Sequence, residues 1–196
     1  MIEIFDRNTM ELLFVYPGDT FKGKDLRELP LKAANLSDQD LEGAILQGMD
    51  LEDTEFSNAN LKKANFKMAT LTEAIFNKVQ AQGAKFSDAK CNSSAWAGAN
   101  ISDADFTGAD LEHSNFKDVI AHRTKFVNLK SIKGAILWNA DCSQADFSGT
   151  NLKEVGDIDK AGLILDRATR GVIMLCTKHR DEPRLTSPVE KTCLMH

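Results

Sequence analysis

The chain is short of nearly everything that would assign it an activity at sight. Its longest apolar runs, residues 12–16 and 172–176, fall far short of a membrane span. Its start, MIEIFDRNTM, lacks the basic stretch and apolar run of a secretory signal, so a cytoplasmic location is expected and no membrane contact. The four cysteines are scattered and suggest no disulfide framework. There is no surplus of positive charge. The net charge is -5 and the pI about 5.4, which gives no electrostatic reason for direct nucleic-acid binding and leaves a basic partner admissible. No nucleophile elbow, P-loop, dinucleotide fingerprint or zincin helix occurs. No enzyme activity and no cofactor are therefore expected.

What is present is a rhythm of five. Every fifth residue from Phe21 to Phe126 is apolar, through Leu26, Leu61, Phe66, Trp96, Phe106 and Leu111 among others. The phase then slips by one, and the centres continue as Ile132, Leu137, Cys142, Phe147 and Leu152. Two residues before a centre the position is usually small, as at Ala34, Ala64, Ala104 and Ala145. Neither a helix nor a strand has this period, and repeats are the first thing such self-similarity signals.

Stretches such as AANLSDQDLEGAILQGMDL and ADCSQADFSGTNL carry the A(D/N)LXX pattern, and the chain resembles the pentapeptide-repeat family over roughly residues 21–152. The resemblance implies an all-β fold: a right-handed quadrilateral β-helix with four pentapeptides per coil, centres and small residues pointing inward. Stacked coils would bury faces that no single coil can bury alone. With twenty residues per coil, the column Phe66, Phe86, Phe106, Phe126 faces the column Phe56, Phe76, Trp96, Phe116, with mostly aliphatic columns between. Ala81 and Ala121 thin one of those columns. The extra residue at 127–130 predicts a bulge, not a boundary.

Four segments are expected. Residues 1–20 read as a hairpin cap, with strands over 2–5 and 11–16 around a turn at 6–9. Residues 21–153 form the β-helix, 154–176 an irregular C-terminal cap, and 177–196 a polar, mobile tail.

Chemistry-bearing residues are few. His113 and His122 fall at outward positions with no ligand set around them, and Cys91 and Cys142 fall at core centres. Cys176, His179, Cys193 and His196 form two C-x-x-H units that match tetrahedral zinc spacing. Chance in a flexible tail is the favoured explanation, so no metal is expected. One face carries Asp50, Glu52, Asp53, Glu73, Asp110 and Glu112, interrupted by Lys90 and Lys133. The family includes gyrase-protecting proteins whose acidic rods imitate DNA, so this face is one candidate surface. The long loops those proteins carry are missing here. The other candidate is a face of low charge with Ile75, Ala95, Ala97, Gly98, Ile136 and Trp138, where an outward tryptophan beside isoleucine suits a protein contact, the equal alternative being that Trp138 packs under the insertion loop or the C-terminal cap. The leading expectation is a non-enzymatic rod that binds a protein partner, whether another protein or a second copy of itself, with DNA mimicry as the alternative.

Overall fold

In the computed structural model, residues 1–155 are described. The chain opens with two antiparallel strands, β1 (Ile2–Phe5) and β2 (Leu12–Tyr16), in which Ile2 faces Tyr16 and Ile4 faces Phe14. Alternation puts these four on one side of the hairpin, against the core. Ile4 is buried, and the Tyr16 ring lies 4.7 Å from that of Phe21. Strand β2 starts at Leu12 because the Glu11 carbonyl closes the turn, accepting the Asp6 N–H at 2.8 Å. The hairpin is tied to the first coils where Asn35 N–H donates to Phe5 C=O and Arg7 N–H to Ala33 C=O, both at 2.8 Å.

Beyond the hairpin the chain winds as a β-helix solenoid. Single-residue parallel bridges join Asp25 to Ile45, Asp40 to Asn60, Asn65 to Lys85 and Ile75 to Ala95, each pair twenty residues apart, up to the bridge of Asp105 with Lys125. Bridges recur every five residues, so each coil has four faces. We number them by their centres: Leu61 lies on the first, Phe66 on the second, Leu71 on the third and Phe76 on the fourth.

The repeat follows from an account of its backbone N–H groups, each of which needs a partner. Around Phe66, the centre N–H donates to Lys85 C=O of the next coil at 2.7 Å, and Met68 N–H to Ser87 C=O at 2.9 Å. Asn65 N–H donates to Ala44 C=O of the previous coil at 2.9 Å, and Ala69 N–H closes the turn on Phe66 C=O at 3.0 Å. The fifth, Lys67 N–H, is taken by the Asn65 side chain, Oδ1 accepting at 3.1 Å. Asp105 does the same for Thr107 at 2.9 Å, Asn115 for Lys117 at 3.0 Å and Asp141 for Ser143 at 3.1 Å. Where Asp or Asn stands before a centre, it therefore forms an Asx turn that completes the hydrogen bonding. The second residue after each centre is left-handed almost throughout, from φ 48° at Asn128 to 72° at Gly149. Most residues there are not glycine, and each accepts some strain for the turn.

The bulky centres are inside. From Phe21 to Phe126 none is more than 1% exposed, and Ala81 and Ala121 are as buried as the rest. Rings stack within columns: Phe66 on Phe86 at 4.9 Å, Phe86 on Phe106 at 4.7 Å and Phe76 on Trp96 at 4.0 Å. Across the core the two columns meet edge to face, as in Phe86 against Trp96 at 5.1 Å and 88°. Each such pair is worth roughly 0.5–1.5 kcal/mol beyond burial.

The phase slip is a bulge. Asp110 bridges Ser131, and later pairs are twenty-one apart, as in Asn115 with Ile136. Lys130 N–H takes Ala109 C=O while Ser131 C=O accepts from Leu111 N–H, so two residues share one rung. In the coil below, Ala109 N–H closes on Phe106 C=O at 2.9 Å. At the bulge, Leu129 N–H donates instead to Thr150 Oγ1 at 3.1 Å, and that hydroxyl donates to Phe126 C=O.

Candidate interaction faces

The inward positions are filled by packing, so recognition falls to the residue before each centre and the two after it. Those on the third face include the acidic candidates. Asp50 precedes Leu51 and Glu52 follows it, and one ammonium holds both: Lys32 Nζ lies 3.2 Å from Asp50 and 2.6 Å from Glu52. The Glu52 hydrogen bond, then that of Asp50, raises the Lys32 pKa. Asp53 is engaged by Arg7 at 3.2 Å. Asp110 and Glu112 lie near one another higher on this face, where Asp110 Oδ1 accepts the Glu112 N–H at 3.2 Å. The column between runs Asp50, Thr70, Lys90, Asp110. Three coil spacings, roughly 14 Å, thus separate the two acidic pairs, with a lysine between.

The fourth face carries the apolar candidates. Ile136 and Trp138 flank the buried Leu137 and are 41% and 56% exposed. Trp138 lies over Lys117 of the coil below, where its carbonyl accepts the Asp118 N–H at 2.8 Å. Asn139 Nδ2 donates to Asp118 Oδ1 at 3.0 Å, which steadies that turn. Ile75 shares the Ile136 column but lies three rungs below, with Ala95 and Asn115 between, and is half-buried. The structure does not bring Ile75 to Trp138. Ile120, 41% exposed on the rung below Asp141, is a further outward apolar side chain in these upper coils. Sequence reasoning passed over it, although an isoleucine directly before Ala121 occupies a position that is mostly polar elsewhere.

The remaining polar groups are ordinary surface pairs. His122 Nε2 lies 2.8 Å from Asp141 Oδ2, and Ser143 Oγ donates to the same carboxylate at 2.6 Å. The serine bonds the carboxylate and not the imidazole, so nothing there activates it as a nucleophile. Arg123 holds Asp103 through two bonds at 2.7 Å, which lowers the Asp103 pKa. Cys91 and Cys142 are buried centres, and burial pushes the Cys142 thiol up to about 12, far from a reactive thiolate. Among the described residues no three or more His, Cys, Asp or Glu side chains are grouped to hold a metal ion. The zinc candidates Cys176, His179, Cys193 and His196 lie outside the described residues, as does the expected C-terminal segment from residue 156 onward.

Two family models match the chain. The pentapeptide repeat region model covers residues 49–126, and the pentapeptide repeats model covers 30–67 and 131–155, together more than half of the sequence. The chain belongs to the pentapeptide-repeat family. No curated protein matches it in sequence. Solved pentapeptide-repeat structures do resemble it. HetL, involved in heterocyst differentiation regulation in the cyanobacterium Nostoc sp. strain PCC 7120, is 21% identical over 59% of this chain, with a TM-score of 0.48. This chain covers 62% of HetL. Full-length QnrB1, a plasmid-mediated fluoroquinolone resistance protein, is 17% identical over 78% of this chain and 93% of its own, with a TM-score of 0.42. A protein from the Arabidopsis thaliana thylakoid lumen is 27% identical over 52% of this chain and 70% of its own, with a TM-score of 0.35. Among the described residues no helix is long and apolar enough to cross a membrane.

Proposed function

We propose that this pentapeptide-repeat protein is a non-enzymatic interaction module: a right-handed quadrilateral rod, capped at its start by the β1–β2 hairpin, that presents its fourth face to a protein partner. The observation that carries the reading is Trp138. An indole 56% exposed on a hydrogen-bonded coil, with Ile136 beside it, is the kind of anchor that dominates protein interfaces. The rod holds it in place before binding, so little ordering entropy is lost on contact. In this reading the chain works in the cytoplasm, takes no cofactor, and contacts neither membrane nor nucleic acid directly. A second copy is the first partner to test. Sedimentation velocity at rising concentration should show self-association that Trp138→Ala weakens at least tenfold. A monomer at every concentration removes the second copy and leaves a different protein as partner.

A second reading is that the third face imitates DNA toward gyrase. Its support is the pair Asp110 and Glu112, spaced along the rod from Asp50 and Glu52. Lys32 already neutralises much of the lower pair, which ranks this reading second. It predicts that micromolar protein shifts gyrase supercoiling and that Asp110→Lys with Glu112→Lys abolishes the shift. No effect of the unaltered chain removes it.

A further inference from the structure

Exposed apolar side chains gather at the start of the chain. Of nine large ones among the described residues, five stand in the hairpin: Met1, Met10, Leu12, Leu13 and Val15. The outer side of the hairpin is built from two facing pairs, Phe5 with Leu12 and Glu3 with Val15, and Leu13 is the extra residue of a bulge between them. Leu12 and Val15 are 51% and 46% exposed. The backbone of β2 is open as well. Among the described residues β2 pairs only with β1. Phe5 turns its C=O away from β2, where it accepts the Asn35 N–H. Facing residues of an antiparallel pair turn their groups alike, so Leu12, and Val15 one full alternation on, turn theirs to the open side of β2.

The rod guards its other early edge and leaves this one bare. On the rim of the first coil, Pro30 occupies a rung position, where it has no N–H to offer, and Asp25 pairs with Arg27 at 2.7 Å. Proline and charge are the usual guards of such edges, and β2 (Leu12–Tyr16) carries neither. The charges around β2 are of one sign. Arg7, the only basic side chain of the hairpin, is held by Asp53 at 3.2 Å. Asp6 is spent on the turn, where its Oδ1 accepts the Asn8 and Thr9 N–H groups. Glu3 beside Val15 and Glu11 before Leu12 are exposed and enter no ion pair among the described residues.

The geometry points to the open edge of β2 as a docking site for an extended segment of a partner protein that is apolar in its middle and basic at its ends. Each feature selects one property of the occupant. The outward N–H and C=O groups of Leu12 and Val15 take a peptide strand. Their side chains take apolar neighbours across the new pair. Glu3 and Glu11 take its lysines or arginines and repel nucleic acid and acidic peptides. A second copy fits poorly, because its hairpin brings the same two glutamates and its one basic side chain is already held by Asp53. The hairpin opens the rod whereas Trp138 lies in its upper coils, so this site stands independently of that contact.

The test uses the full chain and a fluorescein-labelled ten-residue peptide, six alternating Thr and Val residues between two lysines at each end. Anisotropy should show saturable binding. The same peptide with its six central amides N-methylated, which cannot pair as a strand, should bind at least tenfold more weakly, as should one with glutamate for every lysine. In the protein, Leu12→Lys with Val15→Lys should weaken binding at least tenfold, and Trp138→Ala should leave it unchanged. Circular dichroism checks that each variant keeps the fold of the parent. Amide exchange of the unaltered chain, followed by NMR, should slow at Leu12 and Val15 when the peptide is added. Absence of saturable binding, equal binding of the N-methylated or the glutamate peptide, unchanged exchange at Leu12 and Val15, or self-association that Leu12→Lys with Val15→Lys abolishes would each overturn the proposal.

Discussion

Trp96 brings the one buried indole into a phenylalanine column, and its neighbours are changed to suit it. Its N–H donates to Ser94 Oγ at 2.7 Å, in a slot that alanine fills in most coils. Ser94 Oγ in turn donates to Cys91 C=O at 2.6 Å, and Ser114 Oγ reaches the same carbonyl at 2.7 Å. Cys91 is smaller than the leucines above and below it, which offsets the larger ring. Ser94→Ala should cost about 1–3 kcal/mol in urea unfolding, because it leaves the indole N–H buried without an acceptor. Adding Trp96→Phe should recover part of that loss, since the orphan donor goes with it. An unchanged midpoint for Ser94→Ala would show that the indole finds another partner. The inward place of Trp96 was legible from its phase in the five-residue period. The reason for Ser94 was not, because it depends on a hydrogen bond between positions that the period alone treats as independent.

At the scale of one pentapeptide, the period reveals the centres and the small residues, since burial imposes both. It conceals the roles of the other positions. An Asp or Asn before a centre reads as a polar spacer until the fifth N–H is followed to its acceptor, as from Lys67 to Asn65. The left-handed turn residue is harder still, because lysine, glutamate and histidine stand there as well as glycine. The bulge shows the same limit. Its position was visible as a phase slip, but not the hydroxyl that repairs it, since Thr150 lies a whole coil away. Thr150→Val should strand Leu129 N–H and Phe126 C=O together and lower stability by about 1–3 kcal/mol, whereas Thr150→Ser should retain most of it. Equal behaviour of the two variants in urea unfolding would contradict the bridging role.

For the whole molecule, stacking and recognition use separate residues. The aromatic and aliphatic columns hold the rod together, and the turns and rung positions set what each face shows. Which outward residues remain available depends on contacts between coils. Lys32 draws in Asp50 and Glu52 from the next coil, and Arg123 draws in Asp103 from the coil below. Sequence columns show which charges share a face but not which of them are already paired. The fourth face shows the same effect, for Ile75 and Ile136 share a column yet stand three rungs apart. The central claim is that Trp138 marks the contact surface. A photo-crosslinking side chain in place of Trp138, irradiated in an extract of the native host, tests it most directly. The same group in place of Asn58, lower on the same face, is the control. The account predicts a discrete adduct at position 138, absent at 58, that excess unaltered protein competes away and excess Trp138→Ala protein does not. Equal labelling at both positions, or no competed adduct at 138, would contradict it.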